Sequence, residues 1–367
     1  MNVANLCFST AWGGLEMSSV KMTRLFHQAG HRSIEICQPD TPIHKALLEQ
    51  GLQARTVTAG KYFPPPATRF IRQQLIDQQI EALFLHSIRD IWIARPALIG
   101  LPHIRFFGFA RMFFKNISKK DLLHAWLYRR LDRMIALSHI QKGFLADCLP
   151  VDKFEIIPNG VDTERFQPRP RRDDIRKSWG VRPENFLFGL IGRLDRQKGS
   201  LEFVQAAAEI LKTHPQARFA LVGGNTIGEG DFDREIRALL TSHGLGTQVV
   251  LTEFRKDIPD VMNALDVFVM PSYEENFANV LLEALASGLP VIGTDSGGTP
   301  EILDRGETGL LCAPQSFASL AEAMRRLLDD PELTQVLRRR ARAKAEREYD
   351  MRKVFARIET LAQGKFA

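Results

Sequence analysis

Cysteine is scarce in this chain: four in 367 residues (Cys7, Cys37, Cys148 and Cys312), scattered, with no CxxC pair and no Cys/His ligand spacing. That excludes a disulfide scaffold and a structural zinc and fits a reducing cytosol. Long apolar runs are missing too. No uncharged stretch reaches the roughly 18–20 residues of a spanning helix, so no membrane-crossing segment is expected. The first residues, "MNVANLCFSTAWGG", have no basic region ahead of their short apolar run and read as a first strand, not a signal peptide. A Walker loop is absent, because no GxxxxGK[ST] spacing occurs. No DxD-type carboxylate pair stands in a convincing place, so no metal and no cofactor are expected.

What is present is ordinary globular composition, with 44% hydrophobic and 25% charged residues, in a chain long enough for two domains with full cores. The formal charge of +6 is uneven. Residues 61–133 carry thirteen Lys/Arg against five acids, a local +8, and aromatics are interleaved, as in "RFFGFARMFFKNISKK" (105–120). The stretch reads either as a solvated basic face with core phenylalanines or as a surface meeting anionic headgroups or an anionic acceptor. Nucleic acid is not expected as a partner, since no recognition motif accompanies the charge.

The first half alternates short β-like runs with helical ones. "VANLCFS", "RSIEIC", "ARTVTA", "EALFLHS" and "DRMIALS" read as strands, and "LEMSSVKMTRLFHQAG" as a helix ending at Gly30. The second half repeats the rhythm with "FLFGLIG", "RFALVGG", "QVVLTE", "DVFVMP", "PVIGTD" and "GLLCA". Such βαβ alternation implies parallel sheets covered on both faces. The break falls near "PRPRRDD" (168–174). The expected organisation is an α/β chain of two doubly wound, Rossmann-like domains, 1–168 and 169–348, with ligand in a cleft between them, and a last helical segment at 349–367. In such sheets ligands sit beyond the carboxyl ends of the strands, against helix N-termini.

Three strand-to-helix turns carry candidate chemistry. "LFGLIGRLDRQKG" brings Gly192, Arg193, Lys198 and Gly199 to one strand end. A forked Arg donor and a compact ammonium suit a diphosphate, although the same residues would make an exposed basic turn. "PSYEENFANVLLEALASG" sets Glu275 and Glu283 eight positions apart, up to ~12 Å along a helix. An acid/base pair working on one glycosidic bond sits at about 5–9.5 Å, so the span fits two contacts to an extended ligand better. Solvated helix glutamates are the plain alternative. Between them the helix start offers free amides near Asn279 and Val280. "WGGLEM" repeats the device, with Gly13 and Gly14 ahead of a helix.

Together with "IIPNGVDTERFQP" (156–168) and "DIPDVMNALDVFVMPS" (257–272), these segments are similar in order and spacing to the signature segments of retaining GT-B glycosyltransferases of family 4, the glycosyl transferases group 1, of the bacterial cell-envelope type. The resemblance covers nearly the whole chain and is strongest over 156–315. It implies a GT-B fold whose C-terminal helix crosses back to the N-terminal, acceptor-binding domain. It also implies roles. Arg193 and Lys198 would grip the donor diphosphate. Glu275 would hold hydroxyls of the donor sugar and Glu283 those of the ribose. Gly13 and Gly14 would face the phosphates with Gly192, Phe277, Ala278, Asn279 and Val280. Backbone near Arg255 would meet the base.

Two departures stand out. The family usually shows E-G-F-G where this chain has Glu275-Asn276-Phe277-Ala278. The histidine that relatives carry six residues after a strand-leading proline falls here on Gly108, counted from Pro102. His86 in "LFLHSIRD" is the remaining candidate near the reacting sugar, or else a strand-end core histidine. The activity implied is transfer of a sugar from a nucleotide-diphosphate donor, a UDP-sugar, to a hydroxyl of a saccharide or lipid-linked acceptor in lipopolysaccharide core or other envelope polysaccharide synthesis. Placement is expected in the cytoplasm, peripheral on the inner membrane. A GT-B epimerase or hydrolase and a non-catalytic nucleotide-sugar binder are the alternatives.

Overall fold

Runs that are apolar at successive rather than alternate positions form two parallel sheets in the computed structural model, which describes residues 1–60, 64–111, 121–145, 149–224 and 230–365. The first sheet is made of β1 (Asn2–Cys7), β2 (Arg32–Cys37), β3 (Gln53–Thr56), β4 (Ala82–Leu85), β5 (Arg105–Ala110), β6 (Arg133–Ala136) and β7 (Phe154–Ile156). The second comprises β8 (Phe186–Ile191), β9 (Ala217–Val222), β10 (Val249–Thr252), β11 (Val267–Met270), β12 (Val291–Thr294) and β13 (Leu310–Cys312). Their orders are β3-β2-β1-β4-β5-β6-β7 and β10-β9-β8-β11-β12-β13, and every ladder is parallel. In each sheet the chain winds outward from its first strand, then returns to that strand and winds the other way. This is the doubly wound pattern, with a switch point beside β1 and another beside β8.

The strand interiors are fully buried: Leu83, Phe84 and Leu85 in β4, and Val267, Phe268 and Val269 in β11, have no exposure. Helices on both faces supply the cover, as a parallel sheet requires. Two strands were not foreseen. β5, "RFFGFA", was submerged in the basic-aromatic reading, and Gly108 interrupts its pattern; a Cβ there would lie 3.2 Å from Met134 Sδ and 3.3 Å from Ile88, a tight fit that a larger residue would relieve only by moving those side chains. β7 is three residues long and gives little signal.

Two compact units result: Met1–Pro158 together with the chain from Phe355, and Asn159–Val354. Residues 159–168, grouped with the first domain on sequence, thus pack in the second unit. Val161 N–H donates to Tyr349 O (2.8 Å) and Met351 N–H to Val161 O (2.9 Å). The last helix, Met351–Ala362, packs within the first unit from Phe355 on. Phe355 meets Phe26 edge-on with centroids 5.0 Å apart, and Glu359 pairs with His31 at 2.5 Å. Among the described residues no helix is long and apolar enough to cross a membrane. Residues 61–63, 112–120 and 225–229, parts of the basic segment and of the loop at 223–231, lie outside the described residues, as does Cys148.

A buried arginine ties the amino ends of β8 and β11, neighbours across the second switch point. Arg176, 1% exposed, donates to Asp266 Oδ2 (3.0 Å), Ala264 O (2.9 Å) and Asn185 O (2.5 Å). The same Asp266 oxygen accepts from Leu187 N–H at 2.8 Å. Removing one partner of such a pair strands the other's charge, at a cost of about 3–5 kcal/mol. Arg176→Met is expected to lower the stability of the second unit by that amount, measured by urea unfolding; a loss below about 1 kcal/mol would show that the pair holds nothing.

Candidate functional site

The second switch point gathers three loops at the carboxyl ends of β8, β11 and β12. The loop after β8 runs through Gly192 and Arg193 into a single 3-10 turn, Arg196–Lys198, capped by Asp195, whose Oδ1 accepts Lys198 N–H at 3.0 Å. Gly199 then takes a left-handed conformation (φ +70°), and a Cβ there would fall 2.1 Å from Pro271 O. Only glycine permits that approach. It presses the β8 loop onto the β11 loop, and Tyr273 N–H donates to Gln197 O at 2.8 Å. Tyr273 also donates its hydroxyl to Glu202 Oε1 at 2.8 Å. Burial, then that bond, pushes the phenol up to about 12.

The consequence is an ion pair. Lys198 Nζ bonds Glu275 Oε1, both side chains only partly exposed. Arg193 is the open cation beside it: its side chain is 64% exposed and reaches Asp195 Oδ2 at 3.6 Å. The β12 loop supports Glu275 from the other side. Gly298 N–H donates to Glu275 O at 2.8 Å, and Cβ atoms on Gly297 or Gly298 would each sit 2.1 Å from the carbonyls of Glu275 or Asn276.

Glu275 therefore lies in the loop ahead of the helix Asn279–Ala286, while the half-buried Glu283 lies on it. The helix opens at Ala278, which is 9% exposed and provides no side-chain cap. An enclosed helix start normally has its first amides satisfied by a Ser, Thr, Asp or Asn cap. Here Ala278 supplies no such cap, and among the described residues no side-chain hydrogen bond to the amides of Asn279 and Val280 is seen. Phe277, just before the cap, is buried edge-on against Tyr349, centroids 6.0 Å apart at 77°. Gly223 and Gly224 lean on the same loop, since Leu194 N–H donates to Gly224 O at 3.1 Å. The Arg255 side chain is engaged away from this cluster. It forks onto Asp257 (Nε to Oδ1, 2.9 Å) and lies 5.8 Å from the Trp179 ring.

The first switch point is built differently. Gly13 and Gly14 open the helix Gly14–Gln28 after β1. The base of their loop is pinned at Phe8, whose N–H donates to Asp90 Oδ2 (2.9 Å) and whose carbonyl accepts from Gln38 (2.8 Å). Burial pushes Asp90 up to about 7. His86, following β4, is not at an open surface. It has no exposure, contacts Asn5 Oδ1 through Nε2 at 2.9 Å and stacks on Phe109 at 4.9 Å. Burial, then Arg111, holds its pKa well below the usual range. The ring is enclosed among core groups, and burial favours its neutral form. Its enclosure follows from β5, which contributes the Phe109 lid.

Sequence reasoning overlooked a buried charged group at this same end. Glu35, inside β2 and unexposed, accepts from Ser19 and Thr23 at 2.5 Å each, and burial lifts its carboxyl to about 7. Burial lowers Arg111 to about 10. A glutamate between two isoleucines in "RSIEIC" was the available signal. Among the described residues no three His, Cys, Asp or Glu side chains gather as a metal-ion cluster would.

Comparison with known proteins bears on the whole chain. Residues 171–344 match the family described as Glycosyl transferases group 1, and residues 12–165 match Glycosyltransferase Family 4. The chain is 32% identical over 248 residues to the lipopolysaccharide core biosynthesis mannosyltransferase LpsB of Rhizobium meliloti (strain 1021), covering 65% of this chain and 69% of that protein. It is 30% identical over 272 residues to the UDP-Gal:alpha-D-GlcNAc-diphosphoundecaprenol alpha-1,3-galactosyltransferase of Escherichia coli, covering 70% and 68%. In structure it is similar to Anabaena Alr3699/HepE, crystallised with UDP, with a TM-score of 0.88 over 99% of this chain and 100% of that one at 23% identity, a likeness of fold. The two Rossmann-like units are those of the GT-B architecture, and the chain belongs to the glycosyl transferases group 1, glycosyltransferase family 4.

Proposed function

We propose that the protein transfers a sugar, with retained anomeric configuration, from a UDP-sugar to a hydroxyl of a saccharide or lipid-linked acceptor during lipopolysaccharide core or other envelope polysaccharide synthesis. The observation that carries this is the uncapped, enclosed start of the helix Asn279–Ala286 beside the Lys198–Glu275 pair. The relatives named above act on such acceptors in the words of their names, and a UDP complex belongs to a protein of the same fold.

In this reading the diphosphate takes Lys198 from Glu275. Arg193 and the amides of Asn279 and Val280 join it. Glu275, released, accepts hydroxyls of the sugar. Glu283 accepts those of the ribose, and backbone at Arg255 meets the base. The bond from the anomeric carbon to the diphosphate oxygen breaks as the acceptor oxygen bonds that carbon, and the acceptor's proton leaves with the diphosphate. Cations and amides fixed before reaction offset the charge growing on the leaving group, the task a divalent metal serves elsewhere. No metal is needed.

A membrane surface is the proposed setting, on the cytoplasmic face of the inner membrane. The helix Leu122–Arg129 exposes Leu122 (90%), Leu123 (46%) and Trp126 (36%), with Arg95 lying 4.4 Å over the Trp126 ring. Apolar side chains among cations suit an anionic headgroup layer.

Arg193→Ala is expected to lower kcat about 10²–10³-fold, the loss typical of a missing charge-stabilising donor; near wild-type turnover would remove Arg193 from the site. EDTA is expected to leave turnover unchanged, and its abolition would restore a metal to the mechanism. Sedimentation with anionic vesicles is expected at low salt and to weaken at high salt, as headgroup attraction is screened; salt-independent or absent sedimentation would remove the membrane contact.

A further inference from the structure

We infer that Asn159 and Tyr349, at the two places where the chain enters and leaves the second unit, are positioning residues for the nucleotide-binding helix start. The inference rests on the reading of that helix start as the diphosphate seat. Asn159 is the first residue of the second unit, and Tyr349 lies shortly before its end at Val354. The two segments are joined to each other. Val161 N–H donates to Tyr349 O at 2.8 Å, Met351 N–H returns to Val161 O at 2.9 Å, and Thr163 donates its hydroxyl to the buried Asp350. Gly160 completes the seam: a Cβ there would lie 2.9 Å from Met351 Cα.

From this seam one contact reaches each side of Ala278. Asn159 Nδ2 donates to Asn279 Oδ1 at 3.0 Å. The Tyr349 ring, 4% exposed, receives the edge of Phe277. The two contacts have distinct effects. An asparagine carbonyl in the first turn of a helix can accept from nearby backbone amides in competition with another partner. By holding Asn279 Oδ1, Asn159 keeps it off the amides that a diphosphate needs. Phe277 stands at the position before the cap, where an apolar anchor sets the angle at which chain enters a helix. Tyr349 supplies that anchor from outside the helix. Side chains on the crossing segments thus keep the amides open and aim them.

Calorimetric titration of the full chain with UDP, GDP and ADP, alongside Asn159→Ala, Tyr349→Leu and Tyr349→Phe, tests this. For whichever diphosphate the wild type binds, Asn159→Ala and Tyr349→Leu are each expected to weaken binding about three- to tenfold, the usual weight of one neutral hydrogen bond or one aromatic pair. Tyr349→Phe keeps the ring and is expected to recover most of the loss seen with leucine. The sharper outcome concerns competition for the amides: adding Asn279→Ala to Asn159→Ala removes the competing carbonyl and is expected to restore affinity, which a general loss of stability would not do. Unchanged affinity in Asn159→Ala and Tyr349→Leu, or a double variant weaker than Asn159→Ala, overturns the inference while leaving the diphosphate seat standing. A wild-type chain that binds none of the three diphosphates overturns the seat, and the inference with it.

Discussion

Lys198 and Glu275 are 77 positions apart, and they meet because backbone passes backbone at Gly199 with no room for a side chain. Charge attraction alone would hold two half-exposed side chains only weakly. The Gly199–Pro271 approach fixes the loops first, so the pair forms with little further ordering. The same close fit recurs where Gly297 and Gly298 lie on the carbonyls of Glu275 and Asn276. Main chain thus holds the loop on both sides of Glu275.

The two switch points share a topology and differ in electrostatics. At the second, Lys198 and Arg193 stand partly or largely in solvent, with Arg193 the more open. In the first, Glu35, Asp90, His86 and Arg111 are enclosed, and burial drives the carboxylates and the imidazole toward their neutral forms. Asp90 and Glu35 each hold backbone or hydroxyl groups of the loop and helix that follow β1. The first unit's polar groups therefore shape a loop, whereas Lys198 and Arg193 in the second unit remain open to solvent.

Much of this was legible in the residues. All six strands of the second sheet follow from short apolar runs, because a strand covered on both faces leaves no polar alternation to misread. The β8 and β11 loops stood out as a candidate because glycines, cations and carboxylates coincide at strand ends, and the structure brings these loops together. What stayed hidden depends on contacts far apart in sequence. Nothing local marks His86 as enclosed; its stacking on Phe109 comes from β5, a strand that Gly108 disguises. Likewise "PNG" in the 156–168 segment gave no sign that Asn159 reaches Asn279, 120 positions on. The same holds for Tyr349, which a helical, charged stretch concealed.

The second unit is continuous in sequence, and the first is not: its packing is completed by the chain from Phe355. Phe26 and His31, in and just beyond the first helix, lack their partners Phe355 and Glu359 until nearly the whole chain has been made. Domains generally fold as units as they are synthesised. Here that order is inverted in part, since the later-made unit holds all of its own strands before the earlier one has its last helix.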